Sequence, residues 1–256
     1  MKKHKIVTWN IGGIVANREL FFELTTDTKA NHLCLQETKS KIATAEILTP
    51  EGYCVFASES LRNVDRGTAI YYQETPVNMS RGSSSTVIRD EGRFQCLEYG
   101  EYYLINAYMP NSGGNRDYLD KKIQSFRFLI NCDKILNERK PVVLVGDLNV
   151  GTYYKEAVGK KARNRRGGFT NEEQNLLREL LDTGFTDAVS YQYPTEYELV
   201  SHLYDRSGTQ DLAYGYRLDY ILVSDRIVDR IISVDILTEY ARHSSRHLPI
   251  ALLIAI

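Results

Sequence analysis

The chain has 256 residues, 43% hydrophobic and 25% charged, the balance of an ordinary globular protein with enough apolar material for a large core, which excludes disorder. Thirty-two Lys and Arg against 33 Asp and Glu give a formal net charge of −1, so no overall basic field draws the chain to a polyanion and any such affinity rests on a local patch. No stretch approaches the roughly 18 consecutive apolar residues of a membrane span, and the start MKKHKIVTWN lacks the apolar run of a signal peptide, so an intracellular protein with no membrane partner is expected.

In chain order, the β-branched and aromatic runs KIVTWNI, NHLCLQET, RGTAIYY, FQCLEY and YYLINAY predict strands. Apolar residues at helical spacing predict a helix over 120–136, followed by a strand at PVVLVGDLNV. Residues 151–168 read as a surface loop, and Thr170 with Glu173 three residues later opens a second helix over 171–181 with a capping box. A second loop over 201–215 leads to the strands DYILVS and PIALLIAI, the last too apolar for an exposed tail and therefore expected inside a sheet. Several strands are apolar at consecutive positions, as in sheets covered on both faces. With no repeat or Pro/Gly/Ser-rich linker, one domain over 1–256 and a monomer are expected. Cys34, Cys54, Cys96 and Cys132 lie far apart without C-x-x-C spacing, which predicts buried free thiols in a reducing compartment.

Polar residues recur where the apolar strands end: Asn10 after IVTW, Glu37 after HLCLQ, Asn111 after NAYMP, Asp147 and Asn149 in VVLVGDLNV, Asp219 before YILV and His247 before LPIALL. Singly, each has a plain alternative as a turn residue, surface charge or ion-pair partner. Together, at one edge of one sheet system, they would concentrate oxygen and imidazole groups around a pocket. KKARNRR places Lys160, Lys161, Arg163, Arg165 and Arg166 in one short segment, either a solvated run or a grip on a phosphate backbone. His4, His32, His202 and His243 show no zinc-ligand spacing.

TWNIGG, CLQETK, DEGRFQCLEY, NAYMPNSG, GDLNV, GGFTNEEQ, YRLDYILVS and SSRHLPIAL resemble, in order and spacing, the successive motifs of the exonuclease III and abasic-endonuclease family of the DNase I-like superfamily. The resemblance implies an α/β fold, a four-layered sandwich of two mixed β-sheets packed face to face with helices outside, and metal-dependent hydrolysis of the phosphodiester backbone of duplex DNA in repair. It implies Glu37 as the main ligand of Mg²⁺, or of Mn²⁺, with Asn10 nearby. Asp147 would orient or deprotonate the attacking water, with Asn149 positioning it. Tyr108 and Asn111 would contact the scissile phosphate, and His247, held by Asp219, would stabilise it. Arg93 and the basic segment would touch DNA phosphates, and Tyr216 would stand in the substrate wall.

The chain departs from that pattern at two places. Arg246 stands in SSRH where the family has an acidic residue, and Gly12 stands in TWNIGG where it has an acid or amide. Loss of an outer carboxylate costs about 10- to 100-fold in metal affinity or activity, so weaker or more metal-demanding catalysis is expected. The segment before RLDY also has no Trp, leaving Leu199, Leu203, Tyr214 or Tyr216 as a substitute wall for a baseless sugar. A retroelement-type nicking endonuclease and a DNA-binding homologue with weakened catalysis are the alternatives, and action on a lipid or small phosphate is a more distant one.

Overall fold

Alternation of side chains along a strand sorts each run of this chain into two faces, and the faces build the layers. The computed structural model describes residues 1–61, 66–82, 86–113, 115–151, 167–196, 199–203, 215–241 and 245–256. The first half runs β1 (Lys3–Asn10), α1 (Arg18–Thr28), β2 (His32–Gln36), α2 (Ile42–Ile47), β3 (Cys54–Ser58), β4 (Thr68–Tyr72), β5 (Asn78–Ser80), α3 (Thr86–Asp90), β6 (Phe94–Glu98) and β7 (Tyr103–Tyr108). The second runs α4 (Arg116–Arg139), β8 (Val142–Asp147), α5 (Asn171–Leu181), β9 (Phe185–Asp187), α6 (Ala188–Gln192), β10 (His202–Leu203), β11 (Gly215–Tyr216), β12 (Asp219–Ser224), β13 (Ile231–Ile236) and β14 (Ile250–Ala255).

Two six-stranded mixed sheets form, in the orders β13-β14-β1-β2-β4-β3 and β5-β6-β7-β8-β12-β9, with β10 and β11 as a small separate hairpin. Ile6, Cys34, Ile70, Leu104, Val143, Val145, Ile221 and Leu252 fill the slot between the sheets. The intervening residues Val7, Trp9, Leu33 and Leu35 face outward onto Leu20, Phe21 and Leu24 of α1. Likewise Val142, Leu144 and Leu222 face Phe126, Leu129 and Ile130 of α4 and Leu176, Leu177 and Leu180 of α5. This is the expected four-layered sandwich, and PIALLIAI lies inside the first sheet, between β1 and β13.

The helix over Asn171–Leu181 starts at Thr170 with both capping-box hydrogen bonds in place. The helix expected over 120–136 is longer, Arg116–Arg139, because the Asn115 side chain accepts from the Asp117 N–H and opens it a turn earlier. Helix α1 has no counterpart in the sequence reading, since its threonines lower helix propensity. In the fold Thr25, Thr26 and Thr28 donate their hydroxyls to the carbonyls of Phe21, Phe22 and Leu24, which satisfies them within the helix. All four cysteines are free, but only Cys34 and Cys96 are buried: Cys132 is half-buried, and Cys54 is exposed because it opens β3, an edge strand. Among the described residues no helix is long and apolar enough to cross a membrane.

Asp133 of α4 is a polar residue set into the helix layer: its Oδ2 accepts from the Thr183 hydroxyl at 2.7 Å, while Oδ1 is buried without a partner among the described residues. Burial pushes its carboxyl up to about 6, against the opposing pull of Thr183 and Arg226. A carboxyl raised on folding contributes stability that is present below its unfolded value and lost as pH rises through its folded value. Asp133→Asn is therefore expected to raise Tm at pH 8 by the equivalent of about 1–3 kcal/mol, the gain shrinking to nothing near pH 4. Melting curves of both proteins across that range check it; an equal difference at both pH values would contradict it.

Candidate active site

The slot between the sheets changes character along its length. β1 and β2 pair in parallel with Asn10 opposite Gln36; β7 and β8 pair in parallel with Tyr108 opposite Asp147; β12 runs antiparallel to β8 with Asp219 opposite Asp147. By strand alternation Asn10 shares the face of Ile6, Tyr108 that of Leu104, Asp147 that of Val143 and Val145, and Asp219 that of Ile221. The same inward row that is aliphatic at one end is therefore polar at the other. Between the two regions a buried amide chain closes the slot: Gln36 Nε2 donates to Asn106 Oδ1 at 2.7 Å, and Asn106 Nδ2 donates to Gln95 Oε1 at 3.1 Å.

At the polar end the side chains hold one another. Asn10 Nδ2 lies 2.9 Å from Asp147 Oδ2 and 3.2 Å from Glu37 Oε1, so one amide joins the carboxylates of the two sheets. The Tyr108 hydroxyl donates to Glu37 Oε1 at 2.6 Å, and Lys39 Nζ stands 3.2 Å from Glu37 Oε2. Asn149 Nδ2 reaches Asp147 Oδ2 at 3.1 Å and the Met109 carbonyl at 3.0 Å. His247 Nδ1 bonds Asp219 Oδ2 at 2.8 Å while its Nε2 stands 3.9 Å from Asp147 Oδ2. Ser201 completes Asp219 by donating to Oδ2 at 2.7 Å and accepting from the Leu218 and Asp219 N–H groups.

The backbone is bent to achieve this. Glu37 and Asn149, both non-glycine, adopt φ of 49° and 52°, a left-handed conformation that costs about 1–3 kcal/mol each unless surroundings enforce it. Gly146 before Asp147 has φ 139°, and a Cβ there would fall 1.9 Å from the Ala107 carbonyl oxygen, so GDLN admits only glycine at its first position.

Electrostatics follow the geometry. Burial pushes the Asp147 carboxyl up to about 7, with His247 opposing and Asp219 and Glu37 reinforcing the rise. His247 is drawn down by burial, but Asp219 and Asp147 outweigh it and raise the imidazole to about 9, so it is a cation at neutral pH. Burial also acts to raise Glu37, yet the hydrogen bonds from Tyr108 and Asn10, with His247 and Lys39, hold it below its ordinary value. Ligand-type atoms of Asp147, Asp219 and His247 lie within 4.8 Å of one another. Glu37, held ionised, lines the same cavity and is a further hard oxygen donor that could hold a metal.

A cavity of about 450 Å³ opens over these groups, with Glu37, Asn111, Asn149 and His247 in its lining and Phe169, Tyr216 and Leu218 forming an apolar side. Tyr216 lines this cavity and packs 5.0 Å from Phe169. Leu203 is instead buried against Val200 and Leu248, and Leu199 packs on the main core. Arg246, exposed, also lines the cavity, and its guanidinium has no hydrogen-bond or ion-pair partner among the described residues. Arg93 does not: only 3% exposed, it bonds Glu91 at 2.6 Å and the Tyr108 carbonyl at 3.1 Å and stacks on the Tyr108 ring, so it buttresses Tyr108 instead of facing a phosphate. Lys160, Lys161, Arg163, Arg165 and Arg166, with Tyr214 and His243, lie outside the described residues. Sequence reasoning missed Ser201, Phe169, Leu218 and His202, whose ring meets that of His247 edge-on at 4.6 Å.

A family model described as Endonuclease/Exonuclease/phosphatase family matches residues 7–247. An exodeoxyribonuclease of Bacillus subtilis is 30% identical over 192 residues, 74% of this chain and 76% of that one. The zebrafish DNA repair nuclease APEX1 is 31% identical over 200 residues, 75% of this chain but 64% of the relative's length. The structure of an AP endonuclease from Archaeoglobus fulgidus superposes with a TM-score of 0.88 at 24% identity, covering 99% of this chain and all of the other, a likeness of fold. With these groups gathered at one end of the sandwich and the family model matching residues 7–247, the chain belongs to the endonuclease/exonuclease/phosphatase family.

Proposed function

We propose that the chain is a Mg²⁺-dependent phosphodiesterase acting on duplex DNA, as an abasic-site endonuclease and 3′-exonuclease of base excision repair. The observation that carries this reading is the meeting, in one cavity, of an ionised carboxylate, a buried carboxylate raised toward neutrality and an imidazolium held by a third. The named relatives support DNA as the substrate class.

Each group has a part suited to its surroundings. Asp147, with a carboxyl near 7, is poised to orient a water and take its proton. Asn149, bonded to Asp147 through both side chain and backbone N–H, holds that carboxylate and the water it would address. Asn111 accepts from the Gly113 N–H through Oδ1, and its Nδ2 group has no partner among the described residues, so it can donate to a phosphate oxygen. Imidazolium His247, fixed at Nδ1 by Asp219, offers Nε2–H to charge building on the phosphate. Tyr108 spends its hydroxyl on Glu37 and so orients that carboxylate. Asn10 turns its amide nitrogen to Glu37 and Asp147, holding the two carboxylates together beside the metal position. The carboxylate oxygens fit a hard divalent cation; Mg²⁺, or Mn²⁺ in its place, would be held by Glu37 and would add positive charge against the phosphate oxygens.

The test is cleavage of a labelled duplex bearing one abasic-site analogue against an intact duplex, with Mg²⁺ or EDTA. Cutting at the lesion alone is expected, lost in EDTA and reduced at least about 100-fold in Glu37→Gln, as for removal of a principal metal ligand. Equal cutting of both duplexes would instead identify a general nickase, for which the wall of Phe169, Tyr216 and Leu218 without a Trp would be the reason. Binding without cutting would identify a DNA-binding homologue.

Arg246 generates a second expectation. It places a cation on the cavity lining beside His202 and His247, where a carboxylate would favour both the imidazolium and a metal. Arg246→Asp is expected to lower the Mg²⁺ concentration for half-maximal cleavage by about 10-fold or more. Metal titrations of the two proteins decide, and an unchanged or higher requirement would show that the cation does not weaken the site.

A further inference from the structure

Lys122 and Glu173 are fully buried, side chains at 0% exposure, and lie outside the set that the proposed chemistry uses. Glu173 is the acidic member of the capping box of α5, a role that asks its carboxylate only to accept from the Thr170 N–H. Here the carboxylate does more. Its Oε2 accepts from Gly168 N at 2.7 Å and from the Thr170 N–H and hydroxyl, while Oε1 accepts from the Ser112 hydroxyl at 2.8 Å and from Lys122 Nζ at 2.6 Å. Lys122 Nζ then donates to the Asn149 carbonyl at 2.6 Å. One ion pair thereby ties α4, α5, the turn before α5 and the loops after β7 and β8.

The two loops are the ones that present Asn111 and Asn149. Ser112 directly follows Asn111. The carbonyl that Lys122 grips belongs to Asn149, whose φ of 52° must be enforced from outside. The packing around the pair leaves no slack: a Cβ on Gly167 would lie 2.2 Å from the Ser112 Oγ, and one on Gly168 would lie 2.7 Å from the Asn149 carbonyl oxygen. A buried ion pair is a poor source of stability compared with an apolar pair of the same volume, because both charges lose their water. An apolar pair could not, however, fix the direction of a carbonyl and a hydroxyl.

We propose that Lys122 and Glu173 are positioning residues that hold Asn149 and Asn111 in register with the scissile phosphate. The proposal rests on the nuclease reading above. Misplacement of a reacting group by an ångström costs about 100-fold in rate, so loosening this pair acts on turnover and leaves substrate binding nearly intact.

The experiment measures kcat and KM of the full chain with Mg²⁺ on the abasic-analogue duplex, at a temperature where melting curves show each variant folded. Glu173→Gln keeps the shape of the side chain and removes its charge; kcat is expected to fall about 10- to 100-fold with KM within about 3-fold. Leu180→Ala, a core truncation two turns further along the same helix, is expected to lower Tm at least as much and keep the parent kcat. Parent kcat in Glu173→Gln, or loss only in step with the folded fraction, overturns the proposal. If Glu173→Gln does not fold, Ser112→Ala decides in its place: a several-fold loss of kcat at unchanged KM supports the proposal and parent kcat overturns it. Glu37→Gln runs alongside; undiminished cutting there would overturn the nuclease reading itself, and this proposal with it.

Discussion

The structure depends on a single slot between two sheets that must be dry at one end and polar at the other. Burial of Val143, Val145, Ile221 and their neighbours holds the sheets face to face, each such side chain contributing on the order of 1.5–3 kcal/mol. The same strands then carry Asn10, Tyr108, Asp147 and Asp219 on the same inward row, and strand alternation leaves those side chains no other direction. Such groups are tolerated only when hydrogen-bonded. The amide chain Gln36–Asn106–Gln95 makes the transition, spanning the slot so that carboxylates beyond it meet polar neighbours before they meet the core.

The carboxylates are crowded without being equivalent. Asp219, bonded by Ser201 and His247, is the anion that keeps the imidazole charged. Asp147, with its largest influence from burial, sits near the pH at which a carboxyl can both hold and release a proton. Glu37, stabilised as an anion by Tyr108 and Asn10, is set for a permanent charge. Burial and neighbours thus set Asp147 and Glu37 apart in opposite directions, and Arg246 stands at the rim of the same cavity as an additional cation.

How much of this was legible in the sequence depends on the range of the cause. The central strands β2, β7, β8, β12 and β14 were visible because burial on both faces writes consecutive apolar residues, and α5 because Thr170 and Glu173 cap it locally. Edge strands such as β3 and β13 alternate in exposure or are half covered, so their runs carry little signal. Among site residues, Asn10, Glu37, Asn111, Asp147, Asn149, Asp219 and His247 were ambiguous singly and became specific only through the order of their motifs. Arg93 shows the limit of that inference: residue type and position were plain, but the side on which its guanidinium lies depends on Glu91 and Tyr108. The pairing of Lys122 with Glu173 was invisible for a related reason: the partners are 51 residues apart on two helices, and a lysine ordinarily reads as a solvated surface charge.

The left-handed residues connect fold to chemistry most directly. Glu37 follows β2 and Asn149 follows β8, one from each sheet, and each reverses the chain at the rim of the slot. A glycine at either place would relieve the backbone but offer no side chain, and an extended residue would carry the chain onward and point its side chain elsewhere. The conformation is therefore the means by which a polar group reaches the slot after the strand has ended. Its cost is met by bonds to neighbouring elements: Thr38 N to the Gly67 carbonyl fixes the turn at Glu37, and Asp147 Oδ1 on the Asn149 N–H with Lys122 on its carbonyl fixes the turn at Asn149. Of the four described non-glycine residues with positive φ, Lys29, Glu37, Lys39 and Asn149, it is Glu37 and Asn149 that line the opening of the cavity, so part of the sandwich's stability is committed to holding these two side chains there.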